Sequence, residues 1–454
     1  MPDAARPSIH VGMNGVTMRG RHVWKRILIG FVGVVLVLAL GLVGWIAAMS
    51  RDIKPPDVSD VSRVRMELPP EKDAFTHFAR ARSVLVWPEG EHLARLRQSS
   101  QAEYDKKIRE VVDANAEALR HLAAGLACES CLGPQKWTPD SAIPSPHLAQ
   151  LLNERARLRL RSGTPKEAVA ACADTMRFGD LLTNCPNSSI WWFLGASTLI
   201  KGSDTARLIA NDPRVSEADL VGLLQVIDSV GPLDRGLELG FKGDFMIADH
   251  LITSIGNSAK ERTSLQKASR IPTWVSPLSG YLLQPNRCRL KAAEMVREEI
   301  HAISLKGNDP LPEIEPAGVT GRESKIGLLG KPNALGRILL ETVACGNVRI
   351  IRSKARCERS LRGARLVVAL RLFEKRTGKL PSTLDELVPT YLPSVPLNPW
   401  DGMPFVYDPE KRLVRSASAN PKPSGSPDSL VRNPEAKENN PVAVEFVVGI
   451  APAE

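Results

Sequence analysis

One uninterrupted apolar segment near the start of the chain constrains its fold more than any other feature. Residues 27–49 read ILIGFVGVVLVLALGLVGWIAAM, twenty-three residues with no charge and no proline. At about 1.5 Å of rise per residue an α-helix of this length measures about 34 Å, which exceeds the hydrocarbon thickness of about 30 Å of a bilayer. The sequence therefore predicts one transmembrane helix over residues 27–49, with the lipid bilayer as its partner.

Basic residues beside this segment predict its orientation. The four that precede it are Arg19, Arg21, Lys25 and Arg26. Because the denser cluster of lysine and arginine stays in the cytoplasm, we expect residues 1–26 to form a cytoplasmic basic leader and residues 50–454 to lie outside. A cleaved signal peptide is the alternative, but its apolar core spans only about 7–15 residues and small residues mark its cleavage site. Here the run is longer and Met49 stands just before the cut, so an uncleaved anchor is favoured.

The composition predicts a folded, mainly helical exterior. Hydrophobic residues make up 43% of the chain, which excludes an intrinsically disordered protein. Aromatic residues are scarce, at 5%, and the abundance of Ala, Leu and Arg favours helices over sheets. A net charge of +10 suits nucleic acid, but an exported chain does not meet that partner, so we predict no nucleic-acid binding.

Changes in pattern divide the exterior part into five segments. They are a linker over 50–70, a helical ectodomain over 71–306, a loop over 307–333, a long basic helix over 334–377 and a small α+β end over 378–454. Apolar residues at helical spacing predict one amphipathic stretch over 91–127 and helices over 147–161, 188–210, 216–230, 233–256 and 284–306. In the basic helix a kink is expected at Gly346 or Gly363. The predicted fold class is mainly α, with one transmembrane helix, a helical ectodomain and a small α+β C-terminal layer.

Seven cysteines include one CxxC motif, Cys128-Glu-Ser-Cys131. The motif is compatible with a redox dithiol, half of a zinc site or a local disulfide that closes a helix end. A zinc site needs a second pair of ligands, and the sequence offers no other CxxC and no closely spaced histidines. A thioredoxin-like motif follows a strand, whereas the helical stretch HLAAGLA precedes this one. A local disulfide is therefore favoured, and we predict no metal and no cofactor.

Acidic residues and histidines of two predicted helices are candidates for a metal or acid–base site. They are Asp244, Asp249 and His250 on one helix and Glu298, Glu299 and His301 on the other. The two groups would combine only if these helices pack together. Charged residues on the exterior of helices are the more common arrangement, so no catalytic residue is assigned.

A row of arginines in the basic helix predicts one positively charged face. Its members are Arg349, Arg352, Arg356 and Arg359, spaced by three or four residues. A solvated helix face is the favoured interpretation. If the row binds a partner, that partner is an anionic lipid or an envelope protein.

Residues 378–407, GKLPSTLDELVPTYLPSVPLNPWDGMPFVY, resemble the globular end of the major pseudopilins of type II secretion. The matching positions are Gly378, Pro381, Leu384, Leu387, Pro396, Pro399, Trp400, Gly402, Pro404, Phe405 and Tyr407. The resemblance implies a helix followed by a small sheet. In pseudopilins, however, the hydrophobic stem continues directly into this domain, whereas here residues 50–377 intervene. Residues 417–427 also lack acids, so we carry over no calcium site.

More broadly, the chain resembles a group of uncharacterised bacterial membrane-anchored proteins. Asp73-Ala74-Phe75, Pro285-Asn286-Arg287 and residues 378–407 carry this resemblance, which implies the bacterial inner membrane but no activity. We expect a membrane-anchored extracytoplasmic scaffold or binding protein of the envelope, near secretion machinery. The alternative is an envelope hydrolase or thiol-redox enzyme that uses Asp249, His250 and Glu299 or Cys128 and Cys131.

Overall fold

The computed structural model describes residues 19–62, 68–88, 100–133, 146–268, 283–306, 309, 333–343, 349–416 and 445–448. Over these residues the chain is mainly helical, as its composition predicts. The helices are α1 (Arg19–Met49), α2 (Ala74–Ser83), α3 (Gln101–Ala114), α4 (Ala116–Leu126), α5 (Pro146–Ser162), α6 (Pro165–Thr183), α7 (Ser189–Asn211), α8 (Glu217–Asp228), α9 (Leu233–Asn257), α10 (Ala259–Ala268), α11 (Pro285–Ala302), α12 (Ala334–Val343) and α13 (Arg349–Thr377). The predicted leader before residue 19, Cys345, Gly346 and the predicted loop 307–333, apart from Asp309 and Asn333, lie outside the described residues.

Local capping signals explain why several helices begin where they do. The Thr164 hydroxyl accepts a hydrogen bond from the backbone N–H of Glu167 at 3.3 Å, and the Glu167 carboxylate accepts from the Thr164 N–H at 3.2 Å. Pro165 occupies the first position of α6, where its missing N–H costs nothing. Ser216 and Asp219 begin α8 in the same way. Helix α8 begins one residue after the start predicted at residue 216.

The amphipathic stretch predicted as one helix is interrupted at Asn115. Helix α3 ends before this residue and α4 begins after it. The Asn115 amide donates to the Val86 carbonyl at 2.7 Å and accepts from the Val86 N–H at 2.8 Å. Because the Asn115 side chain bonds the backbone of a distant segment, it stabilises the break between α3 and α4. Helical periodicity does not reveal this break.

Helix α13 forms the centre of the main hydrophobic core. Residues 366–370, together with Ala364, are fully buried, and the helix packs against α7 and α8. It is continuous through Gly363. A Cβ atom there would lie 2.5 Å from the Phe446 ring, so glycine leaves the space into which that ring packs.

The C-terminal strands belong to the same core. Strands β1 (Val406–Asp408), β2 (Leu413–Arg415) and β3 (Glu445–Val447) form an antiparallel sheet in that order. Val414 lies opposite both Tyr407 and Phe446, and the Val414 and Phe446 side chains are buried in the main core. The small layer is therefore packed into the helical body rather than attached to its surface.

Three glycines allow α9 to approach the turn between α6 and α7 closely. A Cβ atom on Gly236 would lie 2.1 Å from the Thr183 carbonyl oxygen, and one on Gly243 would lie 1.7 Å from that of Asn187. Gly240 contacts the backbone of Ser189 between them. Since no larger residue fits at Gly236 or Gly243, these positions fix how α9 sits against the start of α7.

Candidate functional site

Helix α1 presents apolar side chains that no other part of the described chain covers. All the side chains from Ile29 to Trp45 are exposed; Phe31, for example, is 66% exposed. The span Ile29–Met49, twenty-one residues, is long and apolar enough to cross a membrane. The helix begins before the predicted start at residue 27 and ends at Met49, as predicted. Ile46 is where it first packs against the core of the body.

The segment that leaves α1 is fastened to the N-terminus of α11. The Met49 carbonyl accepts a hydrogen bond from the Gln284 side chain. The Asp52 carboxylate accepts from the backbone N–H groups of Asn286 at 2.7 Å and Arg287 at 3.2 Å. The Asn286 amide in turn donates to the Ile53 carbonyl at 2.8 Å. Gln284, the residue before α11, makes no side-chain cap, so Asp52 satisfies the free N–H groups of this helix from a distant part of the chain.

A second contact holds the segment further along α11. The Arg297 guanidinium bonds both carboxylate oxygens of Asp60, at 2.7 and 2.8 Å, and the Asp57 carbonyl at 3.2 Å. The hydrogen bond from Arg297 lowers the pKa of Asp60 to about 2. Val61, next to it, is buried in the main core. Residues 50–62, predicted as part of a linker, therefore lie against the body; we call these contacts with α11 the membrane junction.

A cleft of about 510 Å³ lies on another part of the body. Its walls are residues 129–132, the C-terminal half of α6, Pro186, Pro232 and the first turns of α9. The first wall contains the second half of the CxxC motif. The cleft is therefore lined in part by Cys131, the second cysteine of the motif.

Side chains on both flanks fix this cysteine segment. The Asp73 carboxylate accepts hydrogen bonds from the Phe75 N–H at 3.1 Å and the Leu132 N–H at 2.8 Å, so it caps α2 and holds the segment at once. From the opposite side, the Arg177 guanidinium donates to the Cys128 carbonyl at 2.9 Å. This dual role of Asp73 joins two sequence features that looked independent, the DAF and CxxC motifs.

The electrostatic surroundings of the two thiols differ from those of a reactive cysteine. Burial, together with the charge of Asp73, raises the pKa of Cys128. A hydrogen bond with the Cys185 thiol and burial raise the pKa of Cys131 well above its ordinary value. Catalytic and redox cysteines instead have a lowered pKa, because the thiolate is the nucleophile. The geometry favours a structural role for this motif.

The charged groups of the cleft suit noncovalent binding. Asp180 is fully engaged by Gly231, Asn184 and Arg177 at 2.9 Å each. Glu129 and Arg235, in contrast, are exposed, and neither forms an ion pair within the described part of the chain. The apolar lining residues are Leu132, Leu181, Pro186, Pro232 and Leu239. The cleft therefore combines one exposed acidic and one exposed basic side chain with apolar lining residues.

The predicted acidic and histidine residues are not gathered into one site. Arg289 on α11 donates to the Asp249 carboxylate and, at 2.6 Å, to the Thr253 hydroxyl, which ties α9 to α11. His250 is exposed and Glu299 is buried. Of the other three, Glu298 and His301 are exposed and Asp244 is half-buried. Among the residues that can be described, no group of three or more His, Cys, Asp or Glu could hold a metal ion.

Asp244 has a structural role that sequence reasoning missed. Both of its carboxylate oxygens accept from the Ser189 N–H, at 3.2 Å, where Ser188 provides no side-chain cap for α7. Burial raises the pKa of Asp244 from 3.8 to about 7, and the hydrogen bonds from Ser189 only partly oppose this shift. The nearby glycines of α9 are the only sequence signal that the backbone at the start of α7 lies unusually close to α9.

The predicted basic row does not form one solvent-facing stripe. Arg356 is exposed, but Arg359 is 9% exposed, and its guanidinium lies 5.3 Å from the centre of the Trp400 ring. Burial, with the charge of Arg356, lowers the pKa of Arg359 to about 10. Arg352 is half-buried, and the side chain of Arg349 lies outside the described residues. Arg359 therefore anchors the C-terminal segment 378–407 instead of facing a partner.

Comparison with known proteins gives no relative: no protein-family model, no curated protein and no solved structure matches this chain.

Proposed function

We propose that the protein is a single-pass scaffold or binding protein of the bacterial inner membrane, with its N-terminus in the cytoplasm and its body outside. The membrane junction is the observation that carries this proposal. Asp52, close to the end of the apolar helix, and Asp60, further along the chain, attach the segment after α1 to α11. A body attached in this way stays at the membrane surface, as a scaffold requires.

The cleft beside Cys131 is the proposed partner site. Glu129 and Arg235 offer charges of opposite sign to an envelope protein, and the leucines and prolines of the lining offer apolar contact. We propose that the bound element is a short peptide segment of that protein. The resemblance of residues 378–407 to pseudopilins is compatible with a partner in secretion machinery.

An anionic lipid remains a second proposed partner, through Arg352 and Arg356 only, since Arg359 is buried against Trp400. The enzymatic alternative gains no support from the geometry. Asp249 is held by Arg289 and His250 faces solvent, while the pKa of both Cys128 and Cys131 is raised.

The orientation is tested on spheroplasts that carry the full chain. A membrane-impermeant amine reagent should label lysines of the body, such as Lys260, without lysis of the cell. Labelling that requires lysis would contradict the proposal.

The partner site is tested by a photo-crosslinking amino acid placed at Arg235 in living cells. A matched control carries it at Lys260, which is exposed on α10 beyond the far end of the 25-residue helix α9. We expect a discrete crosslinked species from position 235 and none from position 260. Equal adducts from both positions, or none from position 235, would argue against the cleft as the site.

A further inference from the structure

The segment that carries Cys131 runs beside the turn between α6 and α7. The Cys131 and Cys185 side chains are free thiols in this structure and lie within hydrogen-bonding reach of each other. Two residues further along each segment, a Cβ atom on Gly133 would lie 2.3 Å from the Asn187 amide nitrogen. Gly133 has a φ of +79°, a conformation that glycine adopts without strain. The two segments therefore meet at two places, two residues apart along each segment, with the pair of thiols at one of them.

Both thiols of this pair lie inside the smaller hydrophobic core. Cys131 is 3% exposed and Cys185 is 0% exposed, and they belong to one apolar cluster with Phe78 and Leu181. Cys128 is directed elsewhere: its thiol donates to the Ala124 carbonyl at 3.5 Å, on the last turn of α4. The cysteine that faces Cys131 is thus Cys185 and not its neighbour in the CxxC motif.

We infer that Cys131 and Cys185 form a disulfide in the mature protein and that Cys128 remains a thiol. The two S–H bonds break and one S–S bond forms, and two electrons and two protons pass to a disulfide oxidant, which becomes a pair of thiols. Such oxidants act outside the cytoplasm, so the inference rests on the orientation proposed above. The bond would join the cysteine wall of the cleft to the turn that α9 contacts through its glycines.

Burial sets when this bond forms. The raised pKa of Cys131 leaves little thiolate in the folded protein, and the thiolate is the species that attacks a disulfide. Oxidation therefore takes place before the smaller core closes around the pair. Once formed, the bond is equally shielded from external reductant until the core opens.

The inference is tested by mapping the full chain under nonreducing conditions. Cells are lysed in N-ethylmaleimide, the protein is purified in detergent and denatured with more reagent, and its peptides are analysed by mass spectrometry. We expect one linked pair of peptides that contains Cys131 and Cys185, and alkylated Cys128. A bond between Cys128 and Cys131, or alkylation of both Cys131 and Cys185, would overturn the inference.

Matched variants separate this result from a failure of the fold or of the orientation. Cys128→Ser should leave the linked peptides unchanged, whereas Cys185→Ser should release Cys131 for alkylation after denaturation. In wild-type protein, reductant should lower the thermal midpoint by about 5 °C, and it should have no such effect on Cys185→Ser. The spheroplast labelling uses lysines. Exterior labelling without the bond would refute only the disulfide, whereas interior labelling would refute the proposed orientation.

Discussion

At the scale of single residues, Asp244 makes the stability of the fold depend on pH. Its pKa is raised from 3.8 to about 7, so the folded protein holds a proton that the unfolded chain releases at lower pH. The contribution of this protonated carboxyl group to the free energy of unfolding is fully present below pH 3.8 and is lost as pH rises through 7. Complete ionisation lowers the free energy of unfolding by about 4 kcal/mol, at about 1.4 kcal/mol per pH unit.

We expect Asp244→Asn, which keeps an acceptor for the Ser189 N–H, to flatten the fall of the thermal midpoint between pH 5 and 8. Thermal unfolding of the detergent-solubilised chain, followed by circular dichroism, measures this effect. Asp113→Asn, at an exposed position of α3, should retain the wild-type slope. Equal slopes in all three proteins would show that Asp244 does not titrate in this range.

Asp52 supports the membrane junction through one carboxylate. Asp52→Ala removes the acceptor for the N–H groups of Asn286 and Arg287, and a lost helix cap costs about 1 kcal/mol. We expect faster cleavage of residues 50–62 by thermolysin in detergent. Asp52→Asn should restore most of the protection, since asparagine is a comparable cap. An unchanged cleavage rate in Asp52→Ala would mean that this cap does not hold the segment.

Distance along the chain decides which of these residue contacts a sequence reveals. Thr164 and Glu167 are three positions apart, so their capping box can be recognised in the sequence. Asp52 and Asn286 are separated by 234 positions, and Asp244 and Ser189 by 55. No local sequence pattern identifies either carboxylate as the cap of a remote helix. Both capping contacts could be recognised only from the fold.

At the scale of elements, the glycines of α9 set the spacing between this helix and the α6–α7 turn. Gly243→Ala would place a Cβ atom 1.7 Å from the Asn187 carbonyl oxygen, a backbone atom that cannot rotate away. We expect a loss of at least about 3 kcal/mol in the free energy of unfolding, measured by thermal or chemical denaturation.

Gly222 supplies the matched control, because its nearest neighbour is the Val169 side chain at 3.8 Å. Gly222→Ala should be neutral or should stabilise α8 by up to about 1 kcal/mol. A Gly243→Ala protein as stable as Gly222→Ala would contradict the close approach.

Helical periodicity predicts the elements well where one face alone is buried. The starts of α6 and α8 follow from their caps. Helix α13 is buried on several sides, so the spacing of its residues does not show which face is exposed. Its arginines look like a solvent-facing row, yet Arg359 stacks on Trp400. The candidate cleft was less predictable still, since only its CxxC wall carries a recognisable motif.

At the scale of the whole molecule, the C-terminal strands and the helices share one core. Phe446 packs against α13 at Gly363 and lies 6.2 Å from Phe405, between ring centres. Phe446→Ala should therefore destabilise both layers by about 3–5 kcal/mol. Hydrogen–deuterium exchange should increase in residues 364–370 of α13 as well as in β2.

The adjacent residue Val447 is 55% exposed and provides the control. Val447→Ala should change the stability by no more than about 0.5 kcal/mol. Faster exchange confined to the strands in Phe446→Ala would show that the layer folds separately from the helices.

Composition and the apolar segment are enough to predict a mainly helical chain with one helix able to span a membrane. They do not show that the C-terminal layer is inserted into the helical core, because Phe446 and Gly363 are paired only by the tertiary fold. The same limit applies to Cys131, because the thiol that faces it, Cys185, lies in the turn between α6 and α7, 54 positions further along the chain.

The most direct test concerns the fate of Ile29–Met49 in cells. Membranes are washed with alkaline carbonate, and the N-terminal peptides of the recovered protein are sequenced. An uncleaved anchor predicts that the protein stays in the membrane pellet and that its peptides include this span. Recovery in the aqueous fraction, with a first residue beyond Met49, would contradict a tethered scaffold.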